Sequence, residues 1–290
     1  MRILNYGSLN VDEVLTVPHF VRPGETISVL SRAVFSGGKG LNQSVALARA
    51  GASVTHLGAV GADGAFLVEL LQSAGADISA IRTLDEPTGR AIIQVEPTGQ
   101  NSILLLAGAN AVFDPAHIEE TLARFAPGDW LLTQNETANP AFVIEHAKKR
   151  GLSVAFNPSP FDGSILSLPL SLVDLFFVNE IEGAALSGET EPEQIASALL
   201  SRYPNARIVL TLGEHGAIYA DKNERFHVPA RQVNVVDTTA AGDTFTGYFL
   251  ASLVHGEPAR TCMERAAFAS ALAVSKPGAA PSIPYKEELL

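Results

Sequence analysis

Short runs of β-branched and aromatic residues alternate with amphipathic stretches that stop at glycine over most of the chain. That order restricts the fold more than any other feature, because strand–helix alternation implies a mainly parallel sheet covered by helices. Expected core strands are Arg2–Tyr6, Val54–Ala59, Trp130–Thr133, Ser153–Phe156, Leu175–Val178 and Arg207–Leu212. The intervening helices carry boundary signals. Leu41–Ala50 stops at Gly51, Ala65–Ala74 stops at Gly75, and Pro140–Arg150 follows a capping Asn139 and stops at Gly151. Two segments, residues 12–35 and 88–106, break the rhythm with β-type sequence and no helix between their strands, as in Ala91-Ile92-Ile93-Gln94-Val95. They are expected to pair as a small separate sheet. In an α/β protein that binds ligands beyond the carboxyl ends of its strands, such a sheet serves as a lid. An apolar face on it invites pairing with its copy in a second subunit, so a homodimer through the lid is expected. The reading is a single α/β domain over residues 1–290, with 47% hydrophobic residues supplying the core. Lys286–Leu290 reads as a frayed end or the start of a final helix.

Charge narrows the partners. Lys plus Arg number 20 against 31 Asp plus Glu, a net charge of −11, which gives no non-specific attraction to nucleic acid. A nucleotide is still admissible, since backbone amides and one or two cations suffice to hold it. The expected partners are therefore small molecules. The single cysteine, Cys262, makes neither an internal disulfide nor a Cys-based zinc site, in keeping with a reducing compartment. Met1–Gly7 has no apolar signal core and no apolar run approaches ~18 residues, so cytoplasmic residence without a membrane span is expected.

The strongest chemical signal is Val235-Val236-Asp237-Thr238-Thr239-Ala240-Ala241-Gly242-Asp243-Thr244-Phe245, where small residues lead into a helix that runs through Thr246–Leu253. Free backbone N–H groups there suit a phosphate, and the helix dipole stabilises charge that builds during phosphoryl transfer. Asp243, in the first turn, can accept the proton of an attacking hydroxyl. Taken alone it reads more readily as an acidic residue favoured by the dipole, the commoner fate of an isolated Gly-Asp pair. A second signal, Gly37-Gly38-Lys39-Gly40-Leu41-Asn42-Gln43, runs glycines into a helix. It reads either as a polar site for hydroxyls or a charged acceptor, or as a helix cap with a solvated lysine. The Gly-x4-Gly-Lys-Ser/Thr phosphate loop is absent from the chain, and Gly7-Ser8-Leu9-Asn10 after the first strand is not the Gly-x-Gly-x-x-Gly of a nicotinamide dehydrogenase.

Gly7-Ser8-Leu9-Asn10-Val11-Asp12, Gly37–Asn42, Asn179-Glu180-Ile181-Glu182 and Asp237–Asp243, in that order and spanning nearly the whole chain, resemble the signature motifs of the ribokinase-like (PfkB) carbohydrate kinases. The resemblance implies a three-layer α/β/α sandwich with a β lid, and ATP-dependent phosphorylation of a sugar's primary hydroxyl, with D-ribose leading. Deoxyribose, another pentose, fructose, a nucleoside such as adenosine or pseudouridine, and a non-catalytic binding protein stay open. It implies that Asp243 is the base and that Asn10, Asp12, Gly38, Lys39, Asn42 and Glu136 bind the sugar, with Glu136 reading equally as a solvated rim residue. Asn179, Thr211, Gly213, Gly216, Ala240, Ala241 and Gly242 are implied for the nucleotide, Glu182 for Mg2+ through water. A K+ site is implied around Asp237, Thr239, Ala273, Lys276, Gly278 and Ser282, in loops able to offer carbonyl oxygens or else merely to connect. His215 reads as a solvated turn residue. Ala240 replaces the commoner glycine of this motif, and Arg90 stands where an aliphatic residue is expected, so the sugar carries an extra group or Arg90 faces solvent.

Overall fold

The computed structural model describes residues 1–289. In chain order the strands are β1 Ile3–Tyr6, β2 Asn10–Thr16, β3 Ser31–Gly37, β4 Val54–Val60, β5 Asp77–Thr83, β6 Gly89–Val95, β7 Asn101–Leu106, β8 Trp130–Gln134, β9 Ser153–Asn157, β10 Leu175–Asn179, β11 Arg207–Thr211, β12 Ala217–Ala220 and β13 Arg225–Val228. The α-helices are α1 Lys39–Arg49, α2 Ala65–Ala74, α3 Pro115–Leu122, α4 Pro140–Lys149, α5 Glu180–Ser187, α6 Pro192–Arg202, α7 Ala241–Val254 and α8 Ala259–Val274.

Nine strands form one sheet in the order β13-β12-β11-β10-β9-β8-β1-β4-β5. Pairing is parallel from β5 to β11 and antiparallel for β12 and β13 at one edge. Successive strand residues feed opposite cores, as the period-2 geometry of a strand requires. Ile3, Phe177 and Val209 pack with α1, α2, α7 and α8, whereas Leu4, Phe176 and Leu210 pack with α3, α4, α5 and α6. This is the expected α/β layering, and every expected core strand is present within a residue or two of its expected ends. Helix α4 does begin at the Asn139 cap, whose side chain accepts from the Phe142 N–H at 3.2 Å.

The two segments that broke the rhythm form a separate four-stranded sheet, β3-β2-β6-β7. It starts at Asn10, slightly before the expected boundary, and residues 17–30 between β2 and β3 contain no strand. In β2, Asn10 and Asp12 share one face with Gly89 and Ala91 of β6, while Val11 and Glu13 share the other with Arg90 and Ile92. At the other end of the chain, Lys286–Leu289 form a 3-10 turn and Leu290 lies outside the described residues. Among the described residues no helix is long and apolar enough to cross a membrane.

Helix α7 is buried on nearly every side, lying between α1 and α8. Its approach to α1 depends on Gly247, where an added Cβ would collide with Ala46 and the Leu47 backbone. Overpacking of that kind forces backbone shifts costing about 1–3 kcal/mol. Gly247→Ala is accordingly expected to destabilise the protein by about 1–3 kcal/mol in urea denaturation. An unchanged midpoint would show that α1 and α7 have room to spare.

Candidate active site

The polar residues singled out above gather at the carboxyl ends of the parallel strands, where open α/β sheets bind ligands. Asp243 enters from the first turn of α7 and is 8% exposed. One carboxylate oxygen accepts from Asn42 Nδ2 at 3.1 Å and the other from Gln43 Nε2 at 2.8 Å. Both donors belong to α1. Asn42 Oδ1 is buried without a protein partner, leaving an acceptor free for a hydroxyl.

Asn10 and Asp12 project from β2 toward this place. Asn110 fixes the approach: its side chain accepts from the Leu9 N–H at 3.0 Å and donates to Asn10 Oδ1 at 2.8 Å. That leaves the Asn10 amide nitrogen as the available donor. Asp12 lies across Gly37 of β3, where any side chain would occupy the space of its carboxylate. Burial, with the nearby negative Glu136, pushes the Asp12 carboxyl up to about 7. Glu136 is drawn inward rather than solvated, accepting from the Ser8 hydroxyl and, at 3.1 Å, from the Lys39 backbone N–H. Its own carboxyl is raised, chiefly by burial and against the pull of Lys39. For Lys39, burial alone would lower the ammonium, but Asp243, Glu136 and Glu182 around it outweigh that and raise it. Gly38, at φ 97°, turns the chain from β3 into α1 and so brings Lys39 and Asn42 to the site.

On the far side of Asp243 lies a cleft of about 240 Å³ lined by Lys39, Asn179, Glu182, Ala240, Gly242 and Asp243. Helix α7 starts at Ala240, whose φ of 61° is left-handed, a conformation that costs an L-residue about 1–2 kcal/mol. Ala241 donates to the Thr238 carbonyl at 3.2 Å, whereas among the described residues the Ala240, Gly242 and Asp243 N–H groups meet no acceptor. The expected amide cradle is thus narrower by Ala241, and its free donors lie at a helix N-terminus. Asn179 and Glu182 form a reciprocal capping box on α5: Asn179 Oδ1 accepts from the Glu182 N–H at 2.8 Å and Glu182 Oε2 from the Asn179 N–H at 3.1 Å. Their spacing therefore has a structural reason beside any functional one. Burial raises the Glu182 carboxyl despite that backbone N–H.

A larger cleft of about 1110 Å³ adjoins, lined by Thr211, Gly213, Gly216, Gly242, Phe245 and Val274 among others. His215 also borders it, with its backbone oxygen 2.7 Å from His227 Nε2. Asp237 ties two loops together: one oxygen accepts from the Thr239 N–H and hydroxyl at 2.9 and 2.6 Å, the other from the Gly278 N–H at 3.0 Å. The Ala273 carbonyl accepts from the Lys276 N–H at 3.1 Å, and the Lys276 ammonium reaches Glu288 at 2.6 Å, so only its backbone can serve these loops. Ser282 is buried against the Ala279 carbonyl at 2.8 Å. Among the described residues no three His, Cys, Asp or Glu side chains converge on one point.

The Arg90 side chain is 28% exposed. It lies on the face of β6 away from Asp12 and is ion-paired at 2.9 Å with both Glu13 and Asp63. Gln43 and Asn110 were not among the expected site residues. Gln43 stood in the Gly37–Gln43 run, but nothing in its spacing indicated a partner some two hundred residues away.

The profile of the pfkB family of carbohydrate kinases matches residues 2–286. A ribokinase of Staphylococcus aureus is 37% identical over 300 aligned residues, covering 99% of this chain and 98% of the relative. The solved structure of a ribokinase from Thermotoga maritima superposes with a TM-score of 0.88 at 35% identity, covering 100% of this chain and 98% of that one. That of an Arabidopsis thaliana ribokinase complexed with ribose and ATP gives 0.87 at 29% identity, covering 99% and 97%.

The Asp12 shift makes a stability prediction. A carboxyl raised from 3.8 to about 7 holds its proton longer folded than unfolded, so its destabilising effect is absent below about pH 4 and complete above pH 7. Asp12→Asn removes it. In denaturant titrations the variant should gain about 2–4 kcal/mol over wild type at pH 8.5 and nothing at pH 4. Equal gains at both values would refute the shift.

Proposed function

Because the chain belongs to the pfkB family of carbohydrate kinases, we propose that it transfers the γ-phosphoryl group of ATP to the primary hydroxyl of D-ribose, giving D-ribose 5-phosphate and ADP. The observation that carries this reading is the place of Asp243 between two differently built regions. On one side are Asn10, Asp12, Asn42 and Glu136, which offer donors and acceptors to a polyol. On the other are the free N–H groups of Gly242 and Asp243, which suit phosphate oxygens. A sugar held by the first region directs its primary hydroxyl at Asp243. The hydroxyl proton passes to the Asp243 carboxylate as the oxygen–phosphorus bond forms and the bond from phosphorus to the β–γ bridging oxygen breaks. The amides and Lys39 hold the negative charge on the transferring group, and the adjoining large cleft, with Thr211, Gly213 and Gly216, takes the nucleoside end.

Mg2+ keeps most of its waters and takes few protein ligands, so the lone Glu182 beside Asn179 fits it better than a carboxylate cluster would. When bound, it supplies neutralising charge to the phosphates. The loops tied by Asp237 suit K+: Asp237 spends its carboxylate on N–H and hydroxyl donors, leaving carbonyl oxygens of residues such as Thr239, Gly278 and Ala273 as the ligands a weakly hydrated cation prefers. The small sheet acts as a lid, since its Asn10 and Asp12 face the site. Val34, Leu104 and Leu106 on its outer face and Phe35, Ile103 and Leu105 on the face shared with Asp12 are each between 43 and 58% exposed, apolar side chains that a second copy of the sheet would cover in a homodimer. The buried free thiol of Cys262 fits a reducing, cytoplasmic setting.

The test is ADP release from ATP and Mg2+ across pentoses, hexoses and nucleosides, with and without K+, for wild type and Asp243→Asn. D-ribose should turn over best, K+ should raise the rate, and the variant should lose roughly 10²–10⁴-fold. Turnover of a nucleoside or hexose in preference to ribose would reassign the acceptor, and no turnover with any would replace the kinase by a binding protein. Light scattering at micromolar protein should give the dimer mass, and a monomer mass removes the lid-to-lid pairing.

A further inference from the structure

Behind Asp243 runs a chain of buried amides that the reaction as described does not use. Gln43, Gln134, Asn5, Ser44 and His56 are each no more than 1% exposed. Their hydrogen bonds form one connected path from the backbone of the β1–β2 turn to the Asp243 carboxylate. Every bond in it has a sense that the backbone dictates.

The sense can be followed from its far end. Burial lowers the His56 imidazole to about 4, so the ring is neutral. Its Nε2 is 3.1 Å from the Gly7 carbonyl, which can only accept, so Nε2 carries the hydrogen and Nδ1 accepts. The Ser44 hydroxyl, 2.8 Å away, donates to Nδ1. Ser44 Oγ in turn accepts from Asn5 Nδ2 at 2.8 Å, and the second Asn5 hydrogen goes to the Gly40 carbonyl at 2.8 Å. Asn5 must therefore present its oxygen to Gln134, whose Nε2 donates to it at 3.0 Å and to Gln43 Oε1 at 2.7 Å. With its oxygen so occupied, Gln43 turns Nε2 toward Asp243 Oδ1 at 2.8 Å and Asn157 Oδ1 at 3.1 Å.

A second anchor gives the same answer. The Phe177 carbonyl takes Asn157 Nδ2 at 3.0 Å, so Asn157 offers only its oxygen to Gln43. Gln134 Oε1 is left buried without a partner, a state that costs free energy, yet reversing this amide would set oxygen against oxygen at both neighbours. Gln43 cannot reverse without breaking bonds on both sides.

We propose that Gln43 is a positioning residue for the phosphoryl transfer, its amide locked by the Asn5–Gln134 and Asn157 anchors so that Asp243 Oδ1 always meets a donor. A carboxylic acid O–H at Oδ1 would face the Gln43 N–H, so the lock directs an incoming proton to Oδ2. It also fixes the rotamer, which leaves the Oδ2 edge, steadied by Asn42, for the substrate hydroxyl. The role deepens the kinase reading and rests on it.

The test compares wild type, Gln43→Glu and Gln43→Met with D-ribose, ATP and Mg2+, measuring kcat and the ribose KM from pH 5 to 10, with thermal denaturation on each protein. Glu is nearly isosteric but places a carboxylate against Asp243, so a proton becomes shared between them. The acid limb of kcat should move up by about one pH unit or more. Activity at pH 7 should fall at least tenfold and recover substantially toward pH 9. Met removes the donor without adding charge and should lower kcat at every pH while the ribose KM stays within threefold. A folded Glu variant with the wild-type acid limb overturns the proposal, as does a Met variant whose loss lies wholly in KM. If the Glu variant does not fold, the Met variant decides by that split. If neither folds, Gln134→Met, one bond further from the base, decides: a kcat loss at unchanged KM supports the lock, and wild-type kcat overturns it. A wild type inactive on every sugar would instead defeat the kinase reading, and this inference with it.

Discussion

The contact between the first turn of α7 and the first turns of α1 is the constraint on which the rest of the site depends. Asn42 and Gln43 meet Asp243 across 201 and 200 positions of sequence. A carboxylate buried this deeply is stable only when its oxygens are bonded, and bonds from neutral donors to a charged acceptor contribute about 1.5–3 kcal/mol each. The bonds form only because the two helices approach closely at Gly247 and because Phe249 of α7 packs edge-on against Phe177 of β10, centroids 5.5 Å apart. Core packing thus sets the separation between Asn42 and Gln43 on one side of Asp243 and the first amides of α7 on the other.

The electrostatics follow from the same convergence. One ammonium, Lys39, lies among the carboxylates of Asp243, Glu136 and Glu182, and Asp12 is close to Glu136. Such a neighbourhood suits a neutral polyol and opposes a polyphosphate. The amides at the start of α7 offset part of that opposition, and in the proposed function bound cations would supply the remainder. A strongly acidic chain can therefore still use a nucleotide, because the local amides and not the net charge meet the phosphates.

Much of the fold was legible because hydrophobic alternation is local. The expected core strands and the small sheet all formed, whereas the edge strands β5 and β13 and the four-residue β12 beside β13 escaped notice, being short or only partly buried. In the site, the Gly-rich turn and the α7 start were legible since each is a contiguous run with a backbone purpose. Gln43, Gln134 and Asn110 were not. Their partners lie 91 to 200 positions away, so no spacing betrays them, and an isolated glutamine carries no preference that singles it out. A glutamate in the first turn of a short helix is ordinarily exposed, but the capping box holds Glu182 back until only 5% is exposed.

Arg90 shows how strand register bears on the acceptor. A cation one position away, at Ala91, would share a face with Asp12 and meet the sugar. At its actual position it meets Glu13 instead, and through Asp63 it joins the small sheet to the body, since Asp63 also holds the Thr88 N–H and hydroxyl at 3.0 and 2.6 Å. The face of that sheet shared by Asn10 and Asp12 therefore carries their amide and carboxylate, the apolar side chains of Phe35, Ala91 and Leu105, and no Lys or Arg. An acceptor already bearing a phosphate would find carboxylates there with only Lys39 to balance them, and the charges of three carboxylates already act on Lys39. That arrangement favours an uncharged sugar over a sugar phosphate, and the preference follows from which way one strand residue points.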